Sequence, residues 1–199
     1  MALVFLALGA ADPAQGQFPN EIGLYLSPDE AGATGTSIFL APVDVYLVLS
    51  RPTDVANGGA PYATVDAFEC CLNFHGSEND VYIMGIGLAV PGVDIGPKNI
   101  SQGTAQFIVG FGEPVEVVNR SVMLCRITFM KMSAAPTSVT LGPASPASIP
   151  GQMAFQSVGG QLRVMNSVGG SPTAPVFIFN GEAVAVENAS FGSVKALYR

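Results

Sequence analysis

The chain contains no tryptophan, a single histidine and only eight lysines and arginines in 199 residues. With so few basic side chains scattered along a chain of net charge -7, it has no electrostatic footprint for nucleic acid or for an anionic lipid surface. One histidine, His75, and no Gly-x-Ser-x-Gly elbow leave little material for nucleophilic catalysis. Helical periodicity is missing as well, since no stretch of ten or more residues repeats apolar side chains at three-to-four spacing. Nowhere does an apolar run approach the roughly 20 residues that a membrane-crossing helix needs. No membrane span is therefore expected in the mature chain, and neither cofactor nor metal ligands are indicated, because the cysteines form no CxxC pair and no histidines cluster.

What is present is apolar content of 49%, with 23 glycines and 15 prolines. That composition describes many short strands joined by tight turns, and 199 residues suffice for one sizeable core. The clearest strand is Thr64 to His75, where Phe68, Cys70, Leu72 and Phe74 alternate with Glu69, Cys71, Asn73 and His75. The first set is expected to face a core and the second to face water. Val43 to Ser50 alternates equally well and is closed by Arg51-Pro52. Further strands are expected at 22–26 (edge type), 81–90, 105–111, 122–130, 138–141, 152–156, 161–165, 176–179 and 183–186, with a loop over 53–62 and a proline-rich link over 142–150. Strands without intervening helices predict an all-β fold, a two-sheet antiparallel β-sandwich.

Residues 1–16 open with the apolar run Ala2 to Leu8 and pass to small residues at Ala14-Gln15-Gly16, which reads as a signal peptide lacking a basic start. A buried N-terminal strand or helix is the competing reading. The expected organisation is signal segment 1–16, sandwich 17–182 and C-terminal tail 183–199, in a protein that is exported to the periplasm, cell surface or medium. In an exported chain, three cysteines leave at least one unpaired within a molecule. Cys70 and Cys125 both fall on inward-facing positions, the latter in line with Met123, Ile127 and Phe129. A Cys70–Cys125 disulfide closes a loop of about 55 residues and stabilises by roughly 4 kcal/mol on the chain-entropy account. Cys71, on the outer face, is the candidate free thiol, and three reduced thiols remain the alternative.

Paired acids at Asp29-Glu30, Glu78 with Asp80, and Glu113 with Glu116 read as solvated loop charge in preference to glycosidase acids or calcium ligands. Gly85-x-Gly87 and Gly110-x-Gly112 fall in strands and predict bulges or close sheet contacts. The sequons at Asn99, Asn119 and Asn188 read as chance matches.

Asp44-Val-Tyr-Leu-Val-Leu-Ser, Val65-Asp-Ala-Phe-Glu-Cys-Cys-Leu-Asn-Phe and Ser121-Val-Met-Leu-Cys-Arg-Ile-Thr-Phe together resemble the cohesin-type, Ig-like β-sandwich of extracellular bacterial proteins. The resemblance covers Val43 to Leu141 and implies the fold. It does not imply dockerin recognition, because His75-Gly76-Ser77 stands where the family has Tyr-Asp-Pro, and Asn119-Arg120-Ser121 lacks the glycine usual before the later strand. The ending Ser190-Phe-Gly-Ser-Val-Lys-Ala-Leu-Tyr-Arg resembles the short tail of a group of uncharacterised secreted bacterial proteins, and it reads as a last strand, a helical turn or a sorting segment. Three functions follow as expectations. The first is a non-catalytic surface module that binds a protein or a carbohydrate. The second is a structural subunit that self-associates by strand addition, and the third is a hydrolase whose acids meet only in the fold.

Overall fold

The computed structural model describes residues 18–28, 40–76 and 80–180. The expected signal segment, the tail and the strand at 183–186 lie outside the described residues. In chain order the strands are β1 (Glu21–Tyr25), β2 (Pro42–Ser50), β3 (Thr53–Asp54), β4 (Ala60–Pro61), β5 (Thr64–His75), β6 (Val81–Leu88) and β7 (Gly92–Asp94). They continue with β8 (Thr104–Glu116), β9 (Ser121–Lys131), β10 (Thr137–Gly142), β11 (Met153–Ser157), β12 (Gln161–Ser167) and β13 (Phe177–Phe179). Helical structure among the described residues is limited to single 3-10 turns at Val55–Asn57 and Ile100–Gln102.

The strands pack in two layers. One has the order β1-β2-β9-β6, antiparallel throughout. In the other, β5 is central: β8 runs along one edge and carries β7, while β10 and β11 share the opposite edge. β13 extends β10, and β12 extends β11. A parallel contact of β12 with β1, at Glu21–Asn166 and Ile22–Ser167, ties the layers at one corner. The β-sandwich expected from alternation is the fold observed.

The core follows from period two. Phe68, Cys70 and Leu72 of β5, Phe107 of β8, and Leu47 and Ile127 of the other layer are all buried in one cluster. Phe129 of β9 joins the layers directly, with its ring 6.0 Å from that of Phe74 and 5.2 Å from that of Phe179, both edge to face.

Several expectations are corrected by the packing. β1 is buried along its whole length, because it is flanked by β2 and β12; it is no edge strand. The outer face of β5 is dry in its middle, where Glu69 and Cys71 are both buried. The cause is the proline-rich link, which lies over that face. Ser145 N–H donates to Gln106 Oε1 at 2.7 Å, Gln106 stands beside Cys71 in the ladder, and Ser148 binds Glu69. A bulge at Leu124, where Leu47 opposes Cys125 and Val48 opposes Met123, turns Val122 and Leu124 into the core in place of Met123. The segment 53–62 is a short hairpin, β3 with β4, and β7 lies where no strand was expected.

Candidate binding groove

An apolar groove of about 350 Å³ runs over the outer face of the β5 layer. Its shape follows from one row of side chains in register across five strands. Val93 of β7 opposes Gly110 of β8, which opposes Ala67 of β5, then Gln156 of β11 and Leu162 of β12. The row is large at both ends and small in the middle, so the sheet is left hollow along Gly110 and Ala67. The next row on the same face is Ile108, Glu69, Ala154 and Val164, where only Ala154 is small.

Alternation along 93–95 lifts the first wall. Val93 and Ile95 point outward and are 65% and 72% exposed, while Asp94 between them turns in. The Asp94 carboxylate accepts from Gly96 N–H at 2.9 Å and Ile108 N–H at 3.2 Å, and it pairs with Lys98 Nζ at 2.7 Å. Lys98 also sits 4.2 Å above the Phe107 ring. This wall is anchored to β8 by more than its short ladder: a Cβ at Gly96 would stand 2.3 Å from the Gln106 carbonyl oxygen, so only glycine permits the approach. Gly110 differs, since a Cβ there would meet nothing within 4 Å. Its bare backbone is not required by the chain's own packing, and it keeps the floor open.

At one end the groove is closed by Glu69, whose carboxylate accepts the backbone N–H of Ser148 at 2.7 Å and its hydroxyl at 2.9 Å. The lining that reaches solvent is mainly aliphatic, with Gln156 and Ser148 as its polar members, because Phe68 and Phe155 contribute only buried rings beneath it. Such a surface loses little on dehydration and offers few hydrogen bonds, which suits apolar side chains better than hydroxylated sugars.

The expected site residues sit elsewhere. Cys70 and Cys125 project from facing layers into the shared interior, fully buried, and both thiols are unbridged. Burial pushes both well up from the ordinary thiol value, with Asp94 adding to the effect. Cys71 is also unbridged, but it is buried beneath the link and not set on a wet face; its Sγ lies 3.5 Å from the Leu72 carbonyl, and burial raises it too. The thiols are therefore shielded groups in the core and under the link.

Among the described residues the acids do not converge. Glu113 and Glu116 are exposed on β8, and Asp29, Glu30 and Glu78 fall outside the described residues. Asp80 is not a solvated loop acid: it is buried in an ion pair with the fully buried Lys131, and Ser133 and Thr137 complete the cluster. Burial alone would raise its carboxyl, but the Lys131 ammonium and the hydroxyls outweigh that and hold it below the usual carboxylate range. His75 is exposed and hydrogen-bonds through Nε2 with Thr140 Oγ1 at 2.9 Å. Among the described residues, no group of three His, Cys, Asp or Glu side chains is placed to hold a metal ion.

The sequence matches no protein-family model and no curated protein. The structure does match solved cohesins. A type II cohesin domain from the cellulosome of Acetivibrio cellulolyticus aligns with TM-score 0.51 and 9% identity, over 81% of this chain and 95% of that one. A Clostridium thermocellum chain from a type I cohesin–dockerin complex aligns with TM-score 0.51 and 7% identity, over 85% and 97%. The sixth cohesin of Acetivibrio cellulolyticus scaffoldin B, solved with a Cel5 dockerin, gives TM-score 0.50 and 10% identity over 83% and 100%. At these identities the likeness establishes a cohesin-like fold.

Proposed function

We propose that the chain is a non-catalytic, exported protein-binding module that receives its partner in the groove over β7, β8, β5, β11 and β12. The observation that carries this is the hollow row Val93, Gly110, Ala67, Gln156, Leu162, with solvent-exposed aliphatic walls and a floor glycine that the fold itself does not need. Support comes from the cohesin-like fold, two of whose representatives were solved bound to dockerins. A protein partner fits the aliphatic lining, whereas a glycan would find neither an exposed aromatic platform nor a set of convergent polar groups. The apolar run at 2–8 supports export.

The test fills the groove without disturbing the fold. Gly110→Leu and Val93→Asp are compared with the unaltered chain for the proteins each retains from extracellular and envelope fractions of the source organism, and for binding to an array of glycans. A protein retained by the original chain and lost by both variants supports the reading. Retention unchanged by both variants, or saturable glycan binding in its place, would overturn it.

A further inference from the structure

β6 ends its layer, and one of its two edges faces no other strand among those described. At its ends, Met132 N–H donates to the Asp80 carbonyl and Ala89 N–H donates to the Leu124 carbonyl, so Asp80 and Ala89 turn their main-chain groups toward β9. Alternation then directs those of Val81, Ile83, Ile86 and Leu88 to the open edge, with the bulge between Ile83 and Gly85 absorbing the change of phase.

Open edges are normally guarded by a charge, a proline, a bulge, a covering loop or brevity. β6, eight residues of Val-Tyr-Ile-Met-Gly-Ile-Gly-Leu, has no charge and no proline, and its bulge and loop neighbours fall at its first half and middle, leaving Ile86 to Leu88 without a guard. Its first half is neighboured by Lys98, Ile100 and Ser101, which with Val81 to Ile83 line a second hollow of about 390 Å³. Along its second half no strand lies among the described residues: Met84 is 55% exposed, and Ile86, although inward-pointing, is 36% exposed. Gly85 and Gly87 carry no side chain on the outer face, where the Arg126 guanidinium borders Gly87 at 4.0 Å from a Cβ placed there.

The charge pattern selects the occupant. Copies of a chain of net charge -7 repel one another on approach, and β6, with no charge of its own, is an edge at which that repulsion is small. A basic partner would gain nothing from that strip. An antiparallel edge is moreover self-complementary, because rotation about a two-fold axis presents each strand's free donors to the other's acceptors. We propose that two copies of this chain associate through their β6 edges about a two-fold axis at Ile86, joining two β1-β2-β9-β6 layers into one continuous sheet. The contact is separate from the groove, which lies on the other layer.

Light scattering on the full chain from micromolar to millimolar concentration tests this, together with hydrogen exchange of single amides. The mass is expected to rise to two copies and stop there, with exchange at Ile86 and Leu88 slowing as it rises. Met84→Lys and Ile86→Lys should each weaken association by about tenfold or more, while Val93→Asp leaves it unchanged. If Ile86→Lys fails to fold, Met84→Lys, on the more exposed side chain, decides. A constant single-copy mass, association indifferent to the lysines, growth beyond two copies, or an Ile86 amide already protected at the lowest concentration would each overturn the proposal.

Discussion

Ser148 satisfies both carboxylate oxygens of Glu69, one with its backbone N–H and the other with its hydroxyl, across 79 residues of chain. That pair fastens the proline-rich link over the outer face of β5 and buries Cys71 beneath it. Ser148→Ala removes one charge-assisted bond and should lower stability by about 1–2 kcal/mol. The same variant should make Cys71 react faster with iodoacetamide, followed by peptide mass spectrometry. Unchanged labelling would show that the Ser145–Gln106 bond alone keeps the link in place.

The Asp80–Lys131 pair sets an acid limit on stability. Because the carboxyl is held below its unfolded value of about 3.9, its contribution is complete above that pH and is lost as pH falls toward the folded value. Urea midpoints measured from neutral to strongly acidic pH should fall for the original chain, and part of that fall should vanish in Asp80→Asn. At neutral pH, Lys131→Met leaves a buried carboxylate unpaired and should cost about 3 kcal/mol or more.

Thiol reagents should find no target at Cys70 or Cys125 in the native protein at neutral pH, since both are buried and burial disfavours the thiolate. Denaturant should release all three cysteines together. Protein isolated from the source organism tests the Cys70–Cys125 bridge directly: its formation removes the two thiol hydrogens from the intact mass and leaves only Cys71 titratable after unfolding.

Two glycines near one another should respond in opposite ways. Gly110→Ala meets open space and relieves an unfolded-state entropy loss, so it should stabilise by about 0.5–1 kcal/mol. Gly96→Ala drives a Cβ into the Gln106 backbone and should destabilise, with the Val93–Ile95 wall loosening first. Thermal melts and amide exchange at Ile95 and Ile108 separate the two cases.

These contrasts mark what a linear reading captures. β5 occupies the twelve residues its alternation marks, because both ends of Thr64–His75 coincide with a break in period two. β2 and β9 were legible for the same reason. The groove was not, because it depends on which residue of one strand opposes which of another, and no single strand carries that information: Gly110 and Ala67 matter only because the ladder sets them side by side between Val93 and Leu162. β7 was missed because three residues are too few for a pattern. The buried ion pair did leave a trace, since Lys131 continues the inward phase of Ile127 and Phe129 and so required a hidden counter-charge. A bulge cannot be seen in one strand alone, and the Leu124 bulge accordingly reversed the expected direction of Met123.

The parallel corner between Glu21–Ile22 and Asn166–Ser167 has a consequence in time. The earliest described strand of the sandwich is flanked on one side by β12, the next-to-last one, so that seam cannot be sewn until β12 has left the ribosome. Until then β1 is a strand with one unsatisfied margin, and closure of the sandwich waits on a contact distant in sequence.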